Sequence, residues 1–539
     1  MQRFTKCWNA DAKRVATAIV VAAGLLPMLS GCGIPRLRGP APSQPVPGNF
    51  FLSEEFSGPT GAENSAQLPP IEFFDDPYLI GLVEQALVGN QELKILAEDI
   101  QIANNEVLRR RGAYLPFLSL GTGAKLEKLS GYTPLGAELN DVTTPRGGKF
   151  PNPLPNFLAA GDVSWQIDIW RQLRNARDAQ SLRYLGTVDG RNYVVTRVVA
   201  EIAENYYKLL GLDKQLQTLD QTIALQEKSL ELAQARKQAA RDTELPIQRF
   251  VAEVRKNQSQ KLIIRQDIIE TENRINFLAG RFPQPVERSN VDFVDLQLNA
   301  LAVGVPSQLL ANRPDIRQAE RELQAAGLDI RVARADFYPK VFIRAGVGFE
   351  AFNAKYVFNT PESLIYNVAG DIVAPLINRS AIRADYRNAN ARQLQALYDY
   401  QRTILEAFTE VVNQVSKVQN YSESIEIKKQ QLASLESAVD VAGNLFQNAR
   451  IEYIDVLFAQ RDRNEARMVI IETKQEQLSA IVNAYQALGG GWQNRPVIRM
   501  LPPVEGEPLP PVPEAIPTPQ PDLIQPIPAD QLPAPPANE

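Results

Sequence analysis

The feature that most constrains this chain is a long helix that runs almost directly into a strand, and does so twice. Ala311-Asn312-Arg313-Pro314-Asp315-Ile316 opens a helical run that ends at Phe337-Tyr338-Pro339-Lys340. Pro314 suits a first helical turn, where its missing N–H costs nothing, and Asp315 favours the positive end of the helix dipole. Leu323, Ala326, Ile330, Ala333 and Phe337 recur at three- and four-residue steps, which is one face of a helix. Pro339 ends the run, and Val341-Phe342-Ile343-Arg344-Ala345-Gly346-Val347-Gly348 changes the period from 3.6 to 2. Asn90 to Gly123 lies over Arg313 to Gly346 at a constant offset of 223 positions, placing Tyr114-Leu115-Pro116 on Phe337-Tyr338-Pro339. A second register, at an offset of 209, pairs Arg174 with Arg383, Glu201 with Glu410, Ala240-Arg241 with Ala449-Arg450 and Ile247 with Val456. Together they describe one duplication, with an insertion between Gly123 and Asp162 in the first copy. The period is far longer than a solenoid unit, so it predicts pseudo-symmetry within one fold.

Each copy contributes a strand pair, Leu115 to Glu127 with Leu158 to Trp170, then Val341 to Glu350 with Leu364 to Leu376. Ser130 to Pro155, between the first two strands, is rich in Gly and Pro and reads as an external loop. Val341, Ile343, Ala345 and Val347 point one way and Phe342, Arg344, Gly346 and Gly348 the other. That pattern suits either a lipid-out, water-in wall or a strand of a soluble sandwich. A very long helical segment follows each pair, Gln172 to about Gln238 and Ser380 to about Gln447, far beyond the length of an ordinary globular helix. Leu212, Leu216, Leu219, Ile223 and Leu230 keep heptad spacing, skipping Gln226. Breaks at Arg241–Pro246 and Arg450–Asp455 precede returning helices that end at Gly280 and Gly489. Two such hairpins predict a helical arm roughly 60 to 100 Å long at 1.5 Å per residue.

Composition narrows the chemistry. The 539 residues carry a net charge of −5 and contain no histidine. The charge implies no nucleic-acid partner, and the missing imidazoles exclude His-based triads and HExxH zinc sites. Gly489-Gly490-Gly491 lacks the context of a phosphate loop and reads as a helix C-cap. No enzyme is expected. Arg3, Lys6, Lys13 and Arg14 precede the apolar run Val15 to Leu29, an export signal. It ends in Leu29-Ser30-Gly31-Cys32, which resembles a bacterial lipobox; the alternative is a chance cysteine after an ordinary signal. With Cys7 in the signal and Cys32 lipidated, no thiol remains for a disulfide. No second apolar run reaches the roughly 18 residues of a membrane helix, so any crossing must use a closed barrel. Four strands per chain are too few; a trimer supplies twelve.

Over roughly Phe73 to Trp492 the chain resembles the outer-membrane factor family, the TolC- and OprM-like outer membrane efflux lipoproteins. The resemblance is carried by Gly304-Val305-Pro306-Ser307-Gln308-Leu309-Leu310-Ala311-Asn312-Arg313-Pro314-Asp315-Ile316 and by Ala333-Arg334-Ala335-Asp336-Phe337-Tyr338-Pro339. Ala407-Phe408-Thr409-Glu410-Val411-Val412, Ala487-Leu488-Gly489-Gly490-Gly491-Trp492 and Trp165-Gln166-Ile167-Asp168-Ile169-Trp170-Arg171 complete it. It implies a mainly α fold with a small β-barrel portion: long helical hairpins forming a trimeric α-barrel continuous with a 12-stranded transmembrane β-barrel, four strands per chain. The domain reading is 1–31 lipoprotein signal peptide, 32–75 lipidated N-terminal tether, 76–281 first repeat, 282–312 equatorial connector, 313–492 second repeat and 493–539 Pro-rich tail.

The implied function is a passive duct of a tripartite efflux system in the outer membrane, with a large periplasmic portion. Its partners would be a periplasmic adaptor (membrane fusion protein), an inner-membrane pump of the RND type and outer-membrane lipids. No cofactor is expected beyond the covalent lipid on Cys32. The family's constriction motif aligns with Ile454-Asp455-Val456-Leu457-Phe458-Ala459-Gln460-Arg461, which implies a periplasmic gate at Ile454, Asp455, Phe458 and Arg461. Phe458 stands where some members carry a second aspartate. Asp455 forms either a threefold cation ring or only a cap of the returning helix. Two alternatives stay open: an exit duct of type I protein secretion, and a periplasmic coiled-coil adaptor or structural lipoprotein.

Overall fold

A computed structural model describes residues 34–42, 45–50, 64–144, 147–238, 243–298, 301–375, 377, 379–448 and 450–492. Cys32 and the Pro-rich tail lie outside these residues. In chain order α1 (Pro70–Phe74) precedes the first repeat, which comprises α2 (Pro77–Gly89), α3 (Gln91–Gly112), β1 (Phe117–Glu127), α4 (Pro134–Asp141), β2 (Leu154–Ile167), α5 (Gln172–Gln238) and α6 (Glu244–Leu278). α7 (Leu309–Asn312) ends the connector, and the second repeat comprises α8 (Pro314–Ala335), β3 (Lys340–Ala351), β4 (Leu364–Val373), α9 (Ser380–Gln447) and α10 (Tyr453–Ala487).

The long helices hold 67 and 68 residues and their returns 35 each. At 1.5 Å per residue the long helices reach roughly 100 Å and the returns roughly 50 Å. Each long helix therefore outruns its return. The remaining length packs on the short helix of the same repeat, α3 against α5 and α8 against α9, while α5 and α8 join the repeats. Asp168, four residues upstream of α5, accepts from the N–H groups of Leu173 and Arg174 at 3.1 and 3.0 Å, satisfying donors that an unaided helix start leaves open. Gln226, the polar interruption of the heptad, is buried and accepts from Asn257 Nδ2 at 2.8 Å across the hairpin. A buried amide with a partner is tolerated where an unpaired one is not.

The duplication is visible as repeated contacts. The Asn90 amide donates to the carbonyl of Leu278 at 2.8 Å, and Arg313, its equivalent, donates to that of Ala487 at 2.9 Å. Both close the C-terminus of a returning helix. Gly280 (φ +70°) and Gly489 (φ +90°) end those helices in the left-handed region. A Cβ on Gly280 would lie 2.1 Å from the carbonyl oxygen of Gly89, and one on Gly489 would lie 2.6 Å from that of Asn312. Backbone meets backbone here, so only glycine fits. Arg313 is buried between Asp315 (2.6 Å), Glu410 (2.7 Å) and the Ala487 carbonyl. Burial alone would weaken its hold on the proton; the Asp315 and Glu410 carboxylates outweigh that and raise its pKa.

Two segments differ from the sequence reading. Of the predicted tether, 32–75, the described residues 34–42 and 45–50 are fastened along α9. The backbone of Arg38 exchanges two hydrogen bonds with the Asn390 side chain, and Ala41 N–H donates to Tyr398 Oη. Phe50 is buried on Phe408, with ring centroids 5.3 Å apart, and Phe73 stacks on Tyr485 at 4.1 Å. These aromatics gain too much from burial to stay in solvent. The loop from Ser130 to Pro155 holds α4, whose Thr133 hydroxyl caps Gly136 N–H; Pro134 at its first turn starts a helix that a Gly/Pro count conceals.

Replacing Gly489 with Ala should destabilise the fold by about 1–3 kcal/mol, the cost of a strained left-handed residue. Gly443→Ala, in α9 with open space around it, should stabilise by about 0.5–1 kcal/mol. Urea midpoints of the two variants in detergent check the difference in sign.

Candidate functional site: the strand wall and the hairpin tip

The four strands form one antiparallel sheet in the order β1-β2-β3-β4, so the β2–β3 pair joins the two repeats. The register decides what alternation in a single strand left open. Leu118 pairs with Val163, Val163 with Ala345 and Ala345 with Val368. Leu120, Trp165, Ile343, Val347, Tyr366 and Ile372 share that face, and nearly every side chain on it is apolar. One residue along, Ser119 pairs with Asp162, Asp162 with Gly346 and Gly346 with Asn367. This second face also carries Lys125, Glu127, Ser164, Gln166, Arg344, Glu350 and Asp371. A one-residue slip would exchange the faces, so the agreement of four strands is specific. The sheet has one lipid-compatible face and one water-compatible face, as a transmembrane barrel wall requires.

Polar side chains on the second face find one another. Arg344 lies 3.8 Å from Asp371, Lys125 2.5 Å from Glu127, and Asn156 Nδ2 donates to Glu350 at 2.6 Å. At the base of the sheet, Trp170 Nε1 donates to the Pro339 carbonyl at 2.7 Å and the indole stacks on Tyr338. The strand-to-helix junction of the first repeat is thereby tied to the helix-to-strand junction of the second. At the other end, Phe150 and Phe352 meet edge to face at 5.1 Å and link the two strand-connecting loops. Sequence reasoning missed Asp162, Asp371 and Asn367 as members of a common surface. Their signal is the pairing register, which no single strand contains.

At the hairpin tip, the first turn of α10 separates two faces. Val456 and Leu457 are buried, and Leu457 packs with Ala233, Ile247 and Phe250 of the first hairpin. Ile454 is half-buried, Asp455 is exposed, and Phe458 is 43% exposed. The Arg461 guanidinium lies 5.2 Å from the centre of the Phe458 ring and 3.3 Å from Asp462. Helical spacing brings Ile454, Asp455, Phe458 and Arg461 onto one stripe, opposite the packed face. The cap position belongs to Glu452, whose side chain makes no capping bond, so Asp455 is not the cap. Its N–H donates to the Glu452 carbonyl at 3.1 Å, and its carboxylate sits in the first turn, where the helix dipole favours it. Among the described residues of one chain, no cluster of three His, Cys, Asp or Glu could hold a metal ion.

A four-stranded wall with opposed faces, carried on helical hairpins whose long helices run some 100 Å, defines a subunit of a membrane-spanning duct. The sequence matches the family described as Outer membrane efflux protein over residues 82–281 and 305–490, and the chain belongs to that family. The cation efflux system protein CusC of Escherichia coli O6:H1 (strain CFT073) is 26% identical over 86% of this chain and 97% of its own length. The pyoverdine export outer membrane protein OpmQ of Pseudomonas putida KT2440 is 29% identical over 84% and 95%. Among solved structures, CusC superposes with a TM-score of 0.74 at 24% identity, covering 85% of this chain and 100% of that one. The open-state MtrE channel of Neisseria gonorrhoeae gives 0.70 at 19% identity, over 85% and 98%. The chain is an outer-membrane efflux channel, and the adaptor alternative falls because it has no place for this sheet.

Proposed function

We infer that three copies of the chain close a 12-stranded barrel in the outer membrane and a helical duct beneath it. The duct would serve as the passive exit of a tripartite efflux system. The observation that carries this is the sheet itself: β1 and β4 are both edge strands, and the face between them is apolar. Open backbone edges in lipid cost several kcal/mol per unsatisfied group, so the edges must meet those of other copies. A periplasmic adaptor and an inner-membrane pump complete the path. The lipobox-like Leu29-Ser30-Gly31-Cys32 and the Arg313-Pro314-Asp315-Ile316 motif favour an RND pump over type I secretion. The cargo is a small molecule or ion, in keeping with the cation and pyoverdine exporters to which the chain is similar.

Cys32, acylated, adds a tether to a barrel that already spans the membrane. A single lipid-bearing residue gives only modest anchoring. Cys32→Ala should therefore abolish fatty-acid labelling while the chain stays in the washed membrane fraction; a wholly soluble variant would make lipid the sole anchor and sink the barrel.

The resting gate lies at the hairpin tip. Asp455 and its symmetry mates line a polar ring, Ile454 and Phe458 an apolar one, and Arg461 holds the Phe458 ring by its face. Three carboxylates near one axis repel each other yet attract hydrated cations, so closure comes from helix packing, through Val456 and Leu457, and not from the acids. In planar bilayers, Asp455→Ala should lower cation selectivity and block by multivalent cations while leaving the duct mostly closed. Phe458→Ala should raise basal conductance by letting the constriction wet. If neither variant changes its parameter, the constriction lies elsewhere.

A further inference from the structure

We propose that each chain holds one anionic phospholipid headgroup in a cleft at the base of the sheet, between the start of α5 and the end of α8. The proposal rests on the reading of the sheet as a wall across the outer membrane, and adds to it a lipid site in the periplasmic leaflet. The cleft has a volume of about 510 Å³. Trp170, Arg171 and Asp178 line it from the first repeat, and Arg331, Arg334 and Tyr338 from the second.

The cleft opens on the lipid side of the wall. Trp165, on the apolar face of the sheet, donates Nε1 to the Tyr114 carbonyl at 3.0 Å. The guanidinium groups of Arg174 and Arg177 lie 5.8 and 5.7 Å from the centre of the Tyr114 ring, and Arg177 donates to Asp178 at 2.9 Å. The apolar face thus continues downward into the side of α5 that borders the cleft. The polar face continues elsewhere: Lys340 lies 2.9 Å from Asp336, which also accepts from Gln172 at 2.7 Å. At about 3.6 residues per turn, Arg331 and Arg334 face away from both Asp329 and Asp336. The depth is set independently. Ile34, two residues past Cys32, packs against the cluster of Ile330 and Phe337 in the last turns of α8, so a lipid on Cys32 would enter the bilayer at this level.

The charges in the cleft are unbalanced. Arg331 and Arg334 are exposed and meet no carboxylate among the described residues. Asp178, the one acid of the lining, is already held by Arg177 and lies 4.0 Å from Arg171. Arg171 has a φ of +56°, in the left-handed region where glycine would be relaxed and a side chain is costly. The chain nonetheless keeps an arginine at this corner between β2 and α5, with its side chain 64% exposed. The first amides of α5 are not the attraction, because Asp168 already accepts from Leu173 and Arg174. What remains is a set of guanidinium groups, whose paired N–H donors match the oxygens of a phosphodiester. Trp170 stacks on Tyr338 with centroids 4.7 Å apart, an aromatic floor suited to headgroup level. Above, Ile167 paired with Val341 begins the apolar face along which acyl chains would rise. A soluble phosphate would gain nothing from that wall.

The full chain, solubilised and stripped of lipid, tests the site by titration with phosphatidylglycerol or phosphatidylcholine, bound lipid being counted by native mass spectrometry. One phosphatidylglycerol per chain should bind, in clear preference to phosphatidylcholine. Arg331→Gln combined with Arg334→Gln should weaken that binding about thirtyfold, the loss of two guanidinium groups at a lipid surface. Arg402→Gln, an exposed arginine farther down α9, should leave it unchanged. Arg171→Gly relaxes the backbone, so the urea midpoint should hold or rise while binding falls about fivefold. Equal binding of the two lipids, or unchanged binding in either cleft variant, overturns the site. Displacement of the lipid by glycerol 1-phosphate at equal concentration overturns the lipid and makes the ligand a soluble phosphate. A chain missing from washed membranes overturns the membrane-spanning reading beneath; a chain that stays in the membrane without preferring the anionic lipid overturns this inference alone.

Discussion

Everything above the helices depends on one constraint: a strand edge cannot be left open in lipid. Each N–H and C=O that water would satisfy at a soluble edge must find a backbone partner inside the membrane. The described residues form four strands with β1 and β4 unpaired on their outer sides, and other copies can pair them. The apolar face through Val163, Ala345 and Val368 and the polar face through Asp162, Gly346 and Asn367 fix which side meets lipid. Assembly, membrane insertion and the lining of the duct are therefore one property, set by the pairing register.

Below the sheet the same economy holds through duplication. One backbone solution, a returning helix that ends in a left-handed glycine against a preceding helix start, is used at Gly280 with Asn90 and at Gly489 with Arg313. The two copies have diverged in the polar group that closes the contact, a neutral amide in the first and a buried guanidinium with two carboxylates in the second. Leaving such a guanidinium without its carboxylates would be far costlier than losing a surface pair. The second repeat is thus held at the end of its returning helix by charge where the first is held by an amide.

The helices were legible because their signals are local. Gln172, Gln238, Ser380 and Gln447 are the observed ends of α5 and α9, and the strand pairs stand near where alternation put them, with β2 at Leu154–Ile167 in place of the expected Leu158 to Trp170. The duplication was legible because two constant offsets survive even where side chains have changed. The orientation of the wall was not, since Val341 to Gly348 alone fits a sandwich as well as a barrel; it takes Leu118, Val163 and Val368 in register to decide. The strap through Arg38 and Phe50 was hidden for another reason. Its prolines and glycines argue against regular structure, which is correct, but say nothing about docking, which depends on Asn390, Tyr398 and Phe408 more than 300 residues away. At the tip, spacing placed Ile454, Asp455, Phe458 and Arg461 on one stripe, but Glu452 as the cap position emerges only from backbone angles.

The central claim is that this chain is complete as a channel only in threes. The most direct measurement is the protein mass of the detergent-solubilised particle, by light scattering with detergent contribution subtracted, together with its β signal by circular dichroism. The account predicts a particle of three chains that retains its β structure. A monodisperse single chain with the same β signal would contradict it, because four strands would then be stable in an apolar phase with both edges open.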